Sequence, residues 1–240
     1  MIHDVEDGDE QAGDAKRELR SFGRRKGRPL SPRQRGLVDH DLPRLSIELA
    51  GPSPEPLTAL FSAPVRDVWL EIGFGGGEHL IWQASRHPDV GLIGCEPFLD
   101  GVVKVVDAVV QMPLANVRLH PDDARALLRW LPDGSLGRAF VLFPDPWPKK
   151  RHQKRRLVGP PLLDQLARVM RPGAELRVGT DISDYVRSIM VAVTAHPAFV
   201  WPAQRPGDWQ IRPDDWPETR YEQKAIREGR RPVYLSFRRR

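Results

Sequence analysis

The chain has 240 residues, 40% of them hydrophobic, which is enough to bury the core of one sizeable domain. Its 37 basic and 32 acidic side chains give a formal net charge of +5, so only the local arrangement of charge can indicate a nucleic-acid partner. A single cysteine, Cys95, excludes an internal disulfide framework and most cysteine metal sites, and we predict no metal. No apolar run approaches the roughly 20 residues that span a bilayer, and the acidic, polar N-terminus leads us to expect no secretory signal. We therefore expect a cytoplasmic protein without membrane contact.

The N-terminal region divides into two segments of opposite charge. Residues 1–18 are rich in Asp and Glu and nearly free of large apolar groups, which predicts disorder. The basic residues that follow, with no acid between them, are Arg20, Arg24, Arg25, Lys26, Arg28, Arg33 and Arg35. They form either a solvated linker or a basic arm that touches RNA. We expect a flexible arm over residues 1–36 and one domain over residues 37–240.

Short apolar runs alternate with amphipathic segments from residue 67 onward. The predicted strands are residues 67–72, 90–95, 116–119, 137–143, 174–179 and 232–237. The predicted helices are residues 76–86, 99–110, 124–131, 161–170 and 185–195. This alternation predicts an α/β fold with a mostly parallel, doubly wound sheet covered by helices on both faces.

A glycine-rich turn, from Gly73 to Gly77, follows the first strand. Such a turn lets a ligand approach the backbone closely and directs the amides of the next helix toward it. A dinucleotide site would have a third glycine three residues after Gly75, where Glu78 stands. An acid there would repel a pyrophosphate, so the Gly-x-Gly-x-Gly spacing disfavours an NAD enzyme and favours a zwitterionic cofactor.

Acids follow the first three strands in turn. Glu71 ends the first strand and Glu96 the second, at the distance expected for a carboxylate that binds ribose hydroxyls. Asp123 follows the third strand, where an adenine amino group would lie. Each could instead be an ordinary strand-end acid or, for Asp123, a helix N-cap. Together with Gly73 and Gly75, these acids favour S-adenosylmethionine as cofactor.

The fourth strand ends in Phe-Pro-Asp-Pro-Trp, which places Asp145 on the same rim as the glycine turn. Prolines on both sides stiffen this loop. Trp147 either stacks on a base or caps the core. The cationic run that follows is Lys149, Lys150, Arg151, His152, Lys154, Arg155 and Arg156. It is either a solvated face or a surface for phosphates.

Two later segments carry further polar groups. Asp181 ends the fifth strand on the same rim, where it could also be a helix N-cap. The stretch from Thr219 through Arg220 and Tyr221 to Glu222 mixes hydroxyl, aromatic, acid and base. By itself this stretch also fits a plain amphipathic helix.

These motifs, in this order, resemble bacterial tRNA (guanine-N7)-methyltransferases. The resemblance rests on Glu-Ile-Gly-Phe-Gly, Phe-Pro-Asp-Pro-Trp with its basic continuation, Gly-Thr-Asp, Thr-x-Tyr-Glu and the Arg-Ser-Phe-Gly-Arg-Arg-x-Gly-Arg arm, and it covers residues 20–237. Arg220 and Tyr221 stand where the family more often has Lys and Phe. Pro148 and Lys150 differ from some members, and residues 1–18 have no assigned counterpart.

The resemblance implies a class I methyltransferase fold with a seven-stranded sheet, S-adenosylmethionine as cofactor and tRNA as partner. Glu71, Glu96 and Asp123 would bind the cofactor, and Asp145 would lie at the reaction centre in contact with both ligands. The residues implied to hold tRNA are Lys149, the run 151–156, Asp181 and the segment 219–222, while Lys150 joins them as part of the basic surface. The target would be a variable-loop guanine, and the protein would be a monomer or a weak homodimer.

Guanine N7 carries an in-plane lone pair and no proton, so its methylation needs no general base. We therefore expect Asp145 to orient guanine through its N1 and N2 donors and to offset the developing positive charge. Two alternatives remain open at this stage. One is an amino-group methyltransferase acting on adenine or cytosine, and the other is a catalytically idle tRNA-binding protein.

Overall fold

The computed structural model describes Gly27 and residues 29–240. The predicted disordered segment 1–18 lies outside the described residues, as do Arg20, Arg24, Arg25, Lys26 and Arg28. The strands are β1 Asp67–Ile72, β2 Val90–Cys95, β3 Val117–His120, β4 Leu136–Leu142, β5 Met170–Thr180, β6 Phe199–Val200 and β7 Val233–Arg239. The α-helices are α1 Pro32–Gly36, α2 Leu42–Leu45, α3 Glu78–Arg86, α4 Leu99–Gln111, α5 Ala124–Trp130, α6 Pro160–Val169, α7 Ser183–Ala195, α8 Gly207–Gln210 and α9 Arg220–Arg227. A π-helical turn covers Leu37–Asp41, and 3-10 turns cover Leu57–Leu60 and Lys150–Arg155.

The seven strands form one sheet in the order β3-β2-β1-β4-β5-β7-β6. All neighbouring pairs are parallel except those that involve β7, which runs antiparallel to both β5 and β6. The predicted fold class is therefore confirmed: a Rossmann-like, doubly wound, mostly parallel seven-stranded sheet. Six of the seven strands were predicted. The exception is the short strand β6, which no apolar run in the sequence indicates.

Hydrophobic residues cover both faces of the sheet. On one face α5, α6 and α7 bury residues such as Leu127, Leu163 and Ile189. On the other face α3 and α4 bury Leu80 and Val105. Strands β1 and β2 are buried on both sides, which is why they read as nearly continuous apolar runs. No helix in the described part of the chain has the length and apolar character needed to cross a membrane.

The register brings the carboxyl ends of the parallel strands to one edge of the sheet. Ile72 of β1 lies beside Cys95 of β2 and Val141 of β4. Leu142 of β4 in turn lies beside Gly179 of β5. The strand order reverses at β1, and ligands of such sheets bind in the crevice at this point. All the strand-end residues singled out from the sequence therefore meet along one rim.

The region just before the domain differs from the prediction. Residues 32–36, predicted as part of a flexible arm, form α1, with Ser31 as N-cap and Gln34 completing a capping box. Arg33 bonds Asp107 of α4 at 2.5 Å. These local contacts hold α1 against the domain, so ordered structure begins before residue 37. The rest of the division between arm and domain stays a prediction.

Candidate active site and RNA interface

The glycine turn has a backbone that requires its glycines. Gly73, Gly75 and Gly77 have φ values of 75°, 55° and 81°, a region that other residues rarely adopt. Gly77 is also the N-cap of α3, and a Cβ there would lie 2.1 Å from Val105 of α4. Three left-handed positions thus explain the Gly-x-Gly-x-Gly spacing, and α3 begins at Glu78, two residues later than predicted.

Glu96 braces this turn from the end of β2. One carboxylate oxygen accepts the backbone N–H of Gly75 and the other accepts that of Phe98, both at 2.9 Å. Glu96 is buried, and burial raises the pKa of its carboxyl group; the charges of Asp145 and Glu71 raise it further, against the two amides. The acids of β1, β2 and the β4 loop are therefore close enough to influence one another.

Glu71 is buried within the rim and is hydrogen-bonded from α3. Its Oε2 lies 2.8 Å from Nδ1 of His79, and Nε2 of His79 lies 3.1 Å from the side-chain nitrogen of Gln83. No sequence motif singled out His79 or Gln83. Their i, i+4 spacing on α3, directly after the turn, was the available signal.

Asp123 is the N-cap of α5, as the alternative reading of the sequence had it. Its Oδ1 accepts the backbone N–H of Arg125 at 2.9 Å. The guanidinium of Arg125 also donates to both carboxylate oxygens, at 2.7 and 2.9 Å. This capping role leaves the predicted contact with adenine untested.

The loop after β4 has an unusual backbone on either side of Asp145. Phe143 and Trp147 have φ values of 49° and 42°, although neither is glycine. Such conformations cost about 1–3 kcal/mol each and persist where surrounding contacts enforce them. The N–H of Phe143 bonds the carbonyl of Gly179 at 2.8 Å, which ties the loop to β5. Asp145 itself is exposed on this constrained loop.

The second end of the loop is held by Arg156. Its Nε donates to the carbonyl of Pro146 at 3.0 Å, and its other nitrogens donate to Ser188 at 2.8 Å and to Asp184 at 2.5 Å. The side chain is only 5% exposed, and its guanidinium lies 4.8 Å from the ring centre of Tyr185. Arg156 therefore joins the Asp145 loop to α7.

The cationic run divides into outward and inward side chains. Lys149, Lys150, Arg151 and Lys154 are exposed, whereas His152, Arg155 and Arg156 are partly buried. Arg155 lies 5.0 Å from the ring centre of Trp147, and His152 meets the same ring edge-on at 6.0 Å. Its partial burial lowers the pKa of His152, and the neighbouring cations lower it further. Trp147 is thus covered by the run that follows it.

The N-terminus of α9 lies over the glycine turn. Arg220 pairs with Glu78, and a Cβ on Gly75 would lie 2.9 Å from the ring of Tyr221. Burial raises the pKa of Tyr221, and so do the charges of Glu96 and Asp145. Tyr221 therefore lies among the predicted cofactor acids, close to the charge of Asp145.

The other two residues of this segment have local partners. Thr219 is the N-cap of α9, and its Oγ1 accepts the backbone N–H of Glu222 at 3.3 Å. Glu222 is 1% exposed. Its Oε1 accepts a hydrogen bond from the hydroxyl of Tyr234 at 2.5 Å and forms an ion pair with Arg212 at 3.2 Å. Burial raises the pKa of Glu222. These bonds fasten the start of α9 to β7.

Asp181 is brought to the rim as predicted, but it is already paired there. Its carboxylate accepts from the guanidinium of Arg230, which also pairs with Glu228. Since Arg230 follows α9, this contact ties the end of that helix to the end of β5. A cleft between these elements is lined by Glu71, Gly73, Phe74, Glu78, His79, Leu142, Phe143, Thr219 and Tyr221.

Solved structures with the same architecture include a methyltransferase. The 16S rRNA methyltransferase KamB superimposes with a TM-score of 0.52, covering 79% of this chain and 95% of that chain at 19% identity. TrmN from Thermus thermophilus also gives 0.52, covering 78% of this chain and 48% of that chain at 16% identity. At such identities the likeness concerns the fold alone.

Sequence relatives are far more similar. A family model described as "Putative methyltransferase" matches residues 65–235. A tRNA (guanine-N(7)-)-methyltransferase from Rhodospirillum rubrum is 54% identical over 226 residues, which cover 93% of this chain and 89% of that protein. The protein of the same name from Brucella melitensis is 51% identical, over 91% of this chain and 94% of its own length. The chain belongs to the tRNA (guanine-N7)-methyltransferase family.

Proposed function

We propose that this protein transfers the methyl group of S-adenosylmethionine to N7 of a guanine in the variable loop of tRNA, in the cytoplasm. The relatives named tRNA (guanine-N(7)-)-methyltransferase, which are 54% and 51% identical over 93% and 91% of this chain, support the activity. The observation that carries the site is the position of Asp145. Its charge acts on Glu96 beside the glycine turn and on Tyr221 of α9, and the exposed cations begin a few residues further on.

The residues around the glycine turn fit S-adenosylmethionine. A Cβ on Gly73 would meet no atom within 4 Å, so there is room for a ligand beside this part of the turn. The buried carboxylate of Glu71 would pair with the cofactor's ammonium group. Glu96 would accept ribose hydroxyls with the lone pairs that its two amide bonds leave, and Asp123 would accept the adenine amino group beside Arg125.

Asp145 would orient the base rather than remove a proton. The cofactor supplies an electrophilic methyl group, and guanine N7 has a lone pair in the ring plane with no proton to lose. An exposed carboxylate on a constrained loop can accept the N1 and N2 donors of guanine and so direct N7 inward. Its negative charge also offsets the positive charge that develops on the ring.

The tRNA would lie across the rim on exposed groups. Lys149, Lys150, Arg151 and Lys154 face solvent and would contact phosphates. Tyr221 lines the cleft and Arg220 pairs with Glu78, which also lines it, so both would approach the flipped guanine. The remaining predicted tRNA ligands, His152, Arg155, Arg156, Asp181, Thr219 and Glu222, have partners within the fold. We propose that they shape this surface and hold its exposed groups in place.

Labelled methyl transfer to bulk tRNA, followed by nucleoside analysis, tests the function. We expect N7-methylguanosine as the product. N6-methyladenosine or N4-methylcytidine would instead support an amino-group methyltransferase, and tRNA binding without cofactor binding would support an idle RNA-binding protein.

The Asp145→Asn variant tests the role of the carboxylate. It should bind S-adenosylmethionine like the wild type and lose at least about tenfold in single-turnover rate, since one charged hydrogen bond contributes about 1.5–3 kcal/mol. The matched control is Asp133→Asn, because Asp133 is 78% exposed and lies at the opposite edge of the sheet. Undiminished single-turnover methylation by Asp145→Asn would remove Asp145 from the reaction centre.

A further inference from the structure

A chain of buried hydrogen bonds runs from the proposed cofactor acid to the segment before α9. Glu71 bonds His79 at 2.8 Å, His79 bonds Gln83 at 3.1 Å, and Gln83 bonds the carbonyl oxygen of Asp215 at 2.9 Å. The three side chains are 2%, 1% and 0% exposed. The proposed cofactor and tRNA contacts give no role to His79 or Gln83.

The geometry determines where the protons lie. The atom of Gln83 that faces His79 also faces the carbonyl oxygen of Asp215, so it must be the amide nitrogen, which donates to both. Nε2 of His79 is then an acceptor and carries no proton. The single ring proton is on Nδ1, where it is donated to the carboxylate of Glu71.

Asp215, at the end of this series of hydrogen bonds, is itself held in place. The carboxylate of Asp215 receives two parallel bonds from Arg177 of β5, at 2.9 and 2.8 Å. The next residue, Trp216, is fully buried and its ring lies 6.2 Å from that of His79. The carbonyl that orients Gln83 therefore has a fixed position.

We propose that His79 is a positioning residue for Glu71 and that Gln83 holds it in the neutral, Nδ1-protonated form. This inference rests on the proposed function, in which Glu71 receives the cofactor's ammonium group. A neutral imidazole donor fixes the orientation of the carboxylate and leaves its full negative charge for the ligand. A doubly protonated imidazole would compensate that charge and weaken the attraction.

Nitrogen-15 NMR of histidine-labelled protein reads the tautomer without any cofactor. His79 is assigned by the signal that is missing from His79→Asn. We expect a protonated Nδ1 and an unprotonated Nε2 at pH 7 in the wild type, and loss of this single tautomer in Gln83→Leu. A protonated Nε2 in the wild type would overturn the proposal, whatever the enzyme methylates.

Cofactor binding tests the positioning role. The His79→Leu variant removes the donor to Glu71 and should raise the Kd for S-adenosylmethionine about tenfold or more, because a buried carboxylate loses its partner. The His79→Asn variant keeps an N–H near the Nδ1 position and should stay within about threefold of the wild type. The Kd for tRNA should not change in either variant.

His196→Leu is the matched control, since His196 bonds Asp164 outside this chain of contacts. Equal cofactor affinity of His79→Leu and the wild type would refute the role. If His79→Leu does not fold, the wild-type tautomer and the affinity of His79→Asn decide the question. Failure of the proposed function would show differently, as a wild type that has the expected tautomer but does not bind the cofactor.

Discussion

Replacing Arg156 by methionine tests whether this arginine acts on the fold or on the RNA. The sequence places Arg156 at the end of a cationic run, where a phosphate contact is the natural expectation. The structure instead buries its guanidinium against Pro146, Ser188 and Asp184. Methionine keeps much of the aliphatic volume next to Tyr185 and removes all the donors.

The cost follows from the bonds that are lost. The bonds to Pro146 and Ser188 contribute about 1.5 kcal/mol each, at the lower end of the range for charged donors, because the site borders solvent. Asp184 is 56% exposed, so its ion pair adds at most about 1 kcal/mol. The sum is about 3–4 kcal/mol, which corresponds to a fall in Tm of roughly 6–16 °C for a chain of this size.

The effect on methylation should exceed the effect on tRNA affinity. Without the bond to Pro146, Trp147 at the second end of the loop can leave its positive-φ conformation, and the position of Asp145 becomes less defined. At temperatures below the variant's Tm, we expect the single-turnover methylation rate to be about tenfold or more lower than that of the wild type. The Kd for S-adenosylmethionine and the salt dependence of tRNA binding should stay as in the wild type.

Thermal unfolding, single-turnover methylation and tRNA binding at several salt concentrations measure these quantities. The matched control is Lys154→Met, which removes an exposed cation of the same run and should leave the Tm unchanged. The reasoning is refuted if Arg156→Met keeps the wild-type Tm while the slope of log K against log salt falls by about 0.7–0.9, the value for one phosphate contact.

Two further sets of substitutions test the exposed cations Lys150 and Arg151 and the buried acid Glu222. Replacing both Lys150 and Arg151 by Gln should weaken tRNA binding and reduce the slope of log K against log salt by about 1.4–1.8, the value for two phosphate contacts. The control Lys104→Gln on α4 should change neither quantity. An unchanged slope in the double variant would argue against phosphate contacts on this surface. Glu222→Gln should gain stability relative to the wild type as pH rises above 4.5, the ordinary glutamate value. Since burial raises the folded-state pKa of Glu222, the wild type loses stability as pH rises through that pKa. Urea unfolding from pH 4 to pH 8 measures the difference, and a constant difference would contradict it.

Strands β1 and β2 were predictable because burial on both faces leaves a plain apolar signal. The predicted bounds 67–72 and 90–95 coincide with β1 and β2. The fifth strand was predicted from residue 174, whereas β5 begins at Met170, since Pro172 and Gly173 interrupt the apolar run. The two residues of β6 are too few to show any period.

The functional residues of the rim were predictable only where they lie at the end of a strand or directly after it. The glycine turn and the acids after each strand are local signals, and the parallel register brings them together. The bond from Gln83 to Asp215 spans 132 residues, so no local pattern indicates it. Similarly, a run of cations contains no sign that Arg156 turns inward while Lys154 remains exposed.

The Asp145 loop combines the two properties that the proposed role of Asp145 requires. A carboxylate that orients a base must be exposed to receive it, yet its position must be fixed to within a fraction of an ångström. Exposure removes packing as a source of rigidity, so the constraint has to come from the loop's two ends. Gly179 holds the first end through Phe143, and Arg156 holds the second through Pro146. The cationic run thus supplies an anchor for the Asp145 loop as well as exposed charges for the proposed RNA contacts, and mutations within it should separate into these two classes.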